Sequence, residues 1–185
     1  TLKSEESVEE YKILSYLTEL IYEKIQNIKL NIEIISEYEM VFAKAKYSQA
    51  NKAVTPKLNN NGYIKIVNGK HPLLSGNVVP LNFEVGKDYR SLIITGPNAG
   101  GKTVTLKTVG LLTLMTQCGF DICASEDTEI SVFEKVFVDI GDNQSIENAL
   151  STFSSHIKNI ADIMSRANNK TLVLFDEIGS GTEPN

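Results

Sequence analysis

The sequence predicts an α/β fold in which a phosphate-binding loop joins a strand to a helix. Residues 96–103 have the sequence Gly-Pro-Asn-Ala-Gly-Gly-Lys-Thr, a full match to the pattern G-x-x-x-x-G-K-[ST]. An apolar run at 91–95 precedes this loop, and apolar residues at helical spacing follow it. A second apolar run, residues 171–175, ends in two carboxylates. Alternating strands and helices are typical of a sheet whose ligand site lies at the carboxyl ends of its strands.

Residues 1–55 differ from the rest of the chain and predict a helical segment. Apolar residues recur there every seven positions, at Leu14, Ile21, Ile28, Ile35 and Phe42. No Pro or Gly interrupts residues 5–54, so the pattern predicts one long helix, or two helices with few helix-breaking residues between them. Lys24 and Asn31 interrupt the second apolar stripe. A coiled coil therefore stays open, but the pattern favours a lever or connector that packs against other parts of a larger protein.

The remaining elements follow from a change of period after Pro56. Thr-Pro ends the helical pattern, which places a domain boundary near residue 55 and a second domain at 56–185. Alternating apolar residues begin at Tyr63 and predict a strand, with further strands near 78–79 and 83–85. Beyond them the sequence predicts strands at 91–95, 130–139 and 171–175, and helices at 102–117 and 152–167.

The loop at 96–103 predicts a nucleotide site for a physical reason. Glycines let backbone N–H groups turn toward phosphate oxygens, and a helix N-terminus adds partial positive charge. Lys102 is expected to neutralise the β- and γ-phosphates, and the Thr103 hydroxyl to ligate Mg²⁺. An ordinary Gly-rich turn is the alternative, which the flanking strand and helix disfavour. The predicted nucleotide-binding residues of the loop are Gly96, Pro97, Asn98, Ala99, Gly100, Gly101, Lys102 and Thr103.

The acidic pair after residues 171–175 supplies the groups that metal-assisted phosphoryl transfer needs. Asp176 is predicted to hold Mg²⁺ through water, and Glu177 to orient or deprotonate the attacking water. A strand that ends in two solvated acids is the alternative. Downstream of a phosphate loop, the pair favours the catalytic interpretation. The two motifs together predict ATP and Mg²⁺ as the ligands, with Glu177, Lys102 and Asp176 as the catalytic residues.

The composition of the chain limits the kinds of partner and environment that it is expected to have. The formal net charge of −5 gives no electrostatic footprint for nucleic acid, so such a surface is expected elsewhere in a parent protein. No run approaches the roughly 18 apolar residues of a membrane span, and no signal peptide is visible. Without an initiator Met, the chain is expected to be an excised fragment. Cys118 and Cys123 are too few for a disulfide framework, and we expect two buried or half-buried thiols in a reducing cytoplasm.

Three segments together resemble the ATPase domain of the MutS family. They are the phosphate loop, the Ser-Thr-Phe-Ser-Ser-His run at 151–156, and the Leu-Phe-Asp-Glu-Ile-Gly-Ser-Gly-Thr-Glu-Pro run at 174–184. Their order and approximate spacing are similar as well. The Asp-Ile-Gly-Asp-Asn-Gln-Ser-Ile run at 139–146 and the His-Pro-Leu-Leu run at 71–74 resemble the type-two MutS branch, which suppresses recombination and includes endonucleases. The resemblance covers essentially the whole chain.

This resemblance implies a fold and a set of roles. The fold is an ABC-type P-loop ATPase domain, incomplete at its C-terminus and preceded by the helical lever or core segment. The family acts as a dimer with composite sites, so Ser151 and Thr152, which locally resemble helix caps, match a signature loop that approaches the partner's nucleotide. The loop at 179–182 is implied to cross the same interface. Val78 and Val79 align with the segment that flanks adenine, where the family often places an aromatic residue.

The resemblance also implies a function. ATP would close a dimeric clamp on structured nucleic acid, in recombination control or on stalled ribosomes. The alternatives are another ABC-type ATPase head, a nucleotide-gated binding module with incidental hydrolysis, and DNA mismatch repair. Because strands that flank the acidic pair in the family are missing, we expect the 185-residue chain alone to bind nucleotide poorly and to hydrolyse it slowly at best.

Overall fold

A computed structural model describes residues 2–97, 100–140 and 149–178, with the backbone alone for residues 149–156. The helices are α1 (Leu2–Tyr22), α2 (Ile25–Asn51), α3 (Lys102–Gln117) and α4 (Ala149–Arg166). The strands are β1 (Lys57–Asn59), β2 (Ile64–Gly69), β3 (Leu81–Val85), β4 (Glu129–Ser131), β5 (Lys135–Asp139) and β6 (Thr171–Phe175). The chain divides into two compact units, Thr1–Lys46 and Tyr47–Asn185.

The first unit consists of helix without a core of its own. None of the described residues 2–51 is buried, and the seven-residue stripe is exposed, with Ile35 57% and Phe42 61% accessible. The two helices separate where the Lys24 N–H bonds to the Ile21 carbonyl, three residues back, instead of four. Since α2 continues past residue 46, the predicted domain boundary near residue 55 stays a prediction.

A carboxylate in the second unit anchors the last turn of α2. Ser48 Oγ donates to Asp121 Oδ2 at 2.5 Å, and Thr55 Oγ1 donates to Asp121 Oδ1 at 2.6 Å. These two hydrogen bonds hold the pKa of Asp121 below its usual value, since they favour the charged form. Val54 and Ile122 form an antiparallel bridge beside them. The segment after α2 is thereby fixed to the loop that follows α3.

Four strands form a mixed sheet in the order β1-β4-β2-β3. β1 runs parallel to β4, whereas β2 runs antiparallel to both β3 and β4. Ile64 and Ile66 of β2 are buried, and the Lys65 between them is half-buried, as the two-residue period of a strand requires. One face of this sheet therefore packs on the core.

Two parallel strands, β5 and β6, form a separate sheet with five residue pairs in register, from Lys135–Thr171 to Asp139–Phe175. Helices cover both faces of it. Gly110 of α3 meets Leu174 on one face, and the Arg166 guanidinium of α4 lies 5.0 Å from the ring centroid of Phe137 on the other. Leu174 and Phe137 point to opposite faces, because Phe137 pairs with the residue before Leu174. The core joins both sheets to α3 and consists of Ile64, Ile66, Val109, Leu112, Ile122, Ile130, Phe133 and Leu174.

The α/β class holds, but the predicted ABC-type P-loop ATPase fold with a long helical lever is wrong for this structure. The described strands form two short sheets rather than one, and the N-terminal segment forms two helices with no buried face. Residues 91–95, predicted as a buried strand, are irregular, and Ile93 is 86% exposed. A strand needs a neighbour for its backbone groups, and no described strand pairs with this segment.

Other elements agree with the sequence more closely. α3 and β6 have the predicted limits of 102–117 and 171–175. The predicted strand 130–139 is divided between β4 and β5, which belong to different sheets. The predicted strand near 78–79 does not form, and β1 was not predicted. Cys118, expected to be at least half-buried, is exposed because it follows the last turn of α3; Cys123 is half-buried.

Candidate functional site

The phosphate loop leads directly into α3, and its glycines have the backbone angles that this turn needs. Gly101 precedes the helix with φ +78°, and Gly96 opens the loop with φ +150°. Both values lie where residues with a side chain are strained. No side chain among the described residues caps the start of α3. The N-terminus of this helix carries partial positive charge, which fits the predicted phosphate site.

The Lys102 ammonium is held by its own loop. Lys102 Nζ donates to the Gly96 carbonyl oxygen at 2.6 Å, and the Gly100 N–H donates to the Pro97 carbonyl oxygen at 2.9 Å. A lysine ammonium has three donors on a flexible stem, so it can exchange the carbonyl for a phosphate oxygen.

The structure brings together the two side chains predicted to bind Mg²⁺. Thr103 Oγ1, in the first turn of α3, donates to Asp176 Oδ2 at 2.5 Å. Asp176 comes directly after β6, and its N–H donates to the Asp139 carbonyl oxygen at 2.9 Å, which extends the pairing of β5 with β6 by one residue. A hydroxyl and a carboxylate are hard oxygen ligands of the type that Mg²⁺ takes. The donor set therefore fits the predicted metal.

Glu177, the predicted water-orienting residue, is exposed and has an uncommon backbone. Its φ is +49°, in the left-handed region, and its N–H donates to Asp176 Oδ1 at 3.1 Å. Residues with a side chain occupy this region at a cost of about 1–3 kcal/mol and cluster at functional sites. Because of this backbone conformation, the Glu177 side chain points in a different direction from the one it would have if β6 continued.

Close packing holds α3 against the strand that ends at Asp176. A Cβ atom added to Gly110 would lie 2.7 Å from Leu174 Cδ1, closer than side chains approach one another. Glycine at this position thus lets the helix approach β6. A glycine inside a helical pattern is the sequence signal for this contact, and Gly110 is not among the predicted site residues.

Of the remaining predicted site residues, some lie in irregular segments or on helices, and others lie outside the described part of the chain. Val78 is half-buried and Val79 is 86% exposed, in an irregular segment between β2 and β3. Asn98, Ala99 and the interface loop at 179–182 lie outside the described residues. Ser151 and Thr152 lie in the first turn of α4, which begins at Ala149, and do not cap it as the local pattern indicated.

A groove of about 510 Å³ lies beside β6 but is not the predicted nucleotide site. Its walls include the irregular segment 91–94 and the strand residues 171–175. None of the described residues of the phosphate loop lines it. Since consecutive residues of β6 line it, the groove lies along the edge of β6 that no described strand pairs with, and it has no part in the proposed chemistry.

Comparison with known proteins gives a consistent result. The profile of MutS domain V matches residues 92–185. Proteins named Endonuclease MutS2 from Halalkalibacterium halodurans and Alkaliphilus oremlandii are 50% and 52% identical to this chain, over 98% and 99% of its length. A protein of the same name from a Geobacillus species is 51% identical over 94% of the chain. The chain spans 23% of the length of the first two relatives and 22% of the third. No helix in the described part of the chain has the length and apolar character that crossing a membrane requires.

Proposed function

Because the chain belongs to the MutS family, within its MutS2 branch, we propose that it binds Mg²⁺-ATP and hydrolyses it as part of a composite dimeric site. The contact between Thr103 Oγ1 and Asp176 Oδ2 carries this proposal, since it joins the phosphate loop to the acidic pair at 2.5 Å. Two oxygen ligands from different elements are what a nucleotide-bound Mg²⁺ uses in phosphate-loop proteins.

Different residues of this chain would bind different parts of Mg²⁺-ATP. The N–H groups at the start of α3, with Gly96, Gly100 and Gly101 around them, would hold phosphate oxygens. Lys102 would leave the Gly96 carbonyl and neutralise the terminal phosphates. Thr103 and Asp176 would hold the metal, Asp176 directly or through water. When bound, Mg²⁺ would offset the negative charge that the phosphoryl group carries during transfer.

Glu177 would act on the attacking water. Its carboxylate follows the metal ligand by one residue, and its left-handed backbone separates the directions of the two side chains. A carboxylate within hydrogen-bonding reach of the water can orient it and accept its proton. Replacing this carboxylate by an amide of the same shape should therefore slow hydrolysis strongly and keep binding.

The partners are proposed from the family alone. A second copy would contribute Ser151 and Thr152 to the nucleotide, and the start of α4, with its partial positive charge, would favour a phosphate there. Val78 and Val79 would flank the adenine by apolar contact. Structured nucleic acid, in recombination control or on a stalled ribosome, would bind mainly to other parts of a longer protein, because this chain has a net charge of −5.

The test is calorimetric ATP binding with and without Mg²⁺, together with steady-state phosphate release, for the full-length protein. We expect Mg²⁺ to strengthen binding, Lys102→Ala to abolish it, and Glu177→Gln to keep binding while phosphate release falls about 10²–10⁴-fold. Lys107→Ala is the matched control, since it removes an exposed lysine from the same helix. Absence of ATP binding by the unsubstituted protein would refute the proposal.

A second comparison tests the role of the 185-residue chain itself. We expect it to bind ATP more weakly than the full-length protein and to release phosphate slowly. Turnover at the full-length rate would show that this chain alone is sufficient for hydrolysis.

A further inference from the structure

A single side-chain amide at the end of α3 satisfies both backbone groups of one residue in the sheet region. Gln117 Nε2 donates to the Phe133 carbonyl oxygen at 3.1 Å, and the Phe133 N–H donates to Gln117 Oε1 at 2.9 Å. Phe133 is buried and lies between β4 and β5, where the chain leaves one sheet for the other. The Gln117 amide thus takes the place of the neighbouring strand that this residue lacks.

Glutamine is suited to this contact by its chemistry and its reach. A primary amide offers a donor and an acceptor side by side, as a backbone peptide does. Glutamate has the same length without the donor, and methionine has a similar shape without either group. Gln117 itself is exposed, so replacing it removes no buried side chain from the core.

This contact acts together with two others that seat α3 on the β5–β6 sheet. Thr103 contacts Asp176 directly after β6, Gly110 contacts Leu174 two residues earlier, and Gln117 contacts Phe133 ahead of β5. Thr103 and Gln117 lie about 21 Å apart along the helix axis at 1.5 Å per residue. Asp176 follows the Asp139–Phe175 pair, which puts it level with residue 140 of the other strand. From Lys135, where β5 begins, to that level the strand covers about 17 Å at 3.3 Å per residue, and Phe133 lies two residues before it. One position of α3 along the sheet therefore satisfies both end contacts.

We propose that Gln117 is a positioning residue for the magnesium site, because it sets the position of α3 along the sheet and so aligns Thr103 with Asp176. The proposal rests on the proposed function. A helix shifted by one residue moves each side chain about 1.5 Å along the axis and turns it by about 100°, which would part the two metal ligands. Gln117 acts through these ligands and does not touch nucleotide.

The experiment compares Gln117→Met with the unsubstituted full-length protein. The measured quantity is the ratio of the ATP dissociation constants without and with Mg²⁺. We expect this ratio to fall about tenfold in Gln117→Met, the lower end of the loss seen when the orientation of metal ligands is disturbed. Binding of ATP without Mg²⁺ should change less than about twofold, since the loop itself is intact.

Two further variants separate positioning from general loss of structure. Thr116→Val removes a buried hydroxyl from the same turn, where it bonds to the Leu112 carbonyl of its own helix, and should leave the ratio unchanged. In a Thr103→Val background, Gln117→Met should no longer alter the ratio, since one of the aligned ligands is gone. An unchanged ratio in Gln117→Met, or an equal fall in the Thr103→Val background, would overturn the proposal.

A measurement without nucleotide distinguishes failure of the Gln117 positioning role from failure of the proposed ATP-binding function. The coupling between Thr103→Val and Asp176→Asn, obtained from urea unfolding of single and double variants, reports the hydrogen bond without nucleotide. We expect coupling in the unsubstituted protein and its loss in Gln117→Met. Coupling retained in Gln117→Met overturns the positioning role even if ATP binds. Coupling lost in a protein that binds no ATP supports the positioning role and refutes the proposed function.

Discussion

Replacing Gly110 by alanine tests whether close packing between α3 and β6 shapes the site. Two opposing effects are expected. Alanine stabilises a helix interior by about 0.5–1 kcal/mol relative to glycine. The added methyl group, however, would lie 2.7 Å from Leu174 Cδ1, and an overpacked contact costs about 1–3 kcal/mol. Since Leu174 is buried at 5% exposure, we expect the overpacking cost to exceed the helix gain, with a net loss of about 1 kcal/mol of unfolding free energy.

The partner substitution reverses the sign of this effect. Leu174→Ala alone should destabilise the protein by about 2–5 kcal/mol, as loss of a buried leucine does. In that background Gly110→Ala meets no obstacle and should stabilise by about 1 kcal/mol, which gives a coupling of about 2 kcal/mol. Urea unfolding followed by circular dichroism measures all four proteins, with Lys107→Ala as a surface control. Equal effects of Gly110→Ala in both backgrounds would refute the packing argument.

Three further predictions concern other parts of the chain. Asp121 has a depressed pKa in the folded state, so its contribution is present above about pH 4 and is lost as pH falls through the folded-state value. In acid titrations followed by unfolding, Asp121→Asn should therefore lower stability near pH 7 and flatten the pH dependence, whereas a curve parallel to the original would contradict this. Gly86→Ala should lower the unfolding free energy by at least about 2 kcal/mol, because φ is +96° and the new methyl group would meet the Gly62 carbonyl; a change below about 0.5 kcal/mol in chemical denaturation would exclude that clash. Amide exchange by mass spectrometry should be fast throughout α1, which has no buried residue, and slow in α3; equal protection of the two helices would count against the exposure described here.

The sequence predicts those elements whose structure depends on local pattern. α3 and β6 have the expected limits because each joins a strong apolar period to a sharp boundary, Gly-Gly before the helix and Asp-Glu after the strand. Residues 91–95 show the limit of such patterns. Their composition suits a strand, yet a strand is defined by its partner, and no local pattern reports whether one is present. The division of 129–139 has a similar cause, since the amide of Gln117 replaces a strand at Phe133.

The candidate site shows the same contrast between local and distant information. The motifs indicate that Thr103 and Asp176 belong to one metal site, and the structure brings the two side chains together, while metal binding itself stays a prediction. The carbonyl that holds Lys102 and the seating of α3 by Gln117 depend on three-dimensional contacts that no spacing rule contains. Residues that belong to a sequence motif are thus easier to predict than the residues that seat the surrounding elements.

The left-handed backbone at Glu177 has a consequence for directed evolution. Glycine occupies this conformation without strain, so Glu177→Gly should appear among variants selected for heat resistance alone, with a gain of up to about 1 kcal/mol. The same variant lacks the carboxylate and should disappear from a library selected for ATP turnover. Sequencing both libraries would show whether Glu177 is retained for its carboxylate although its backbone conformation is strained.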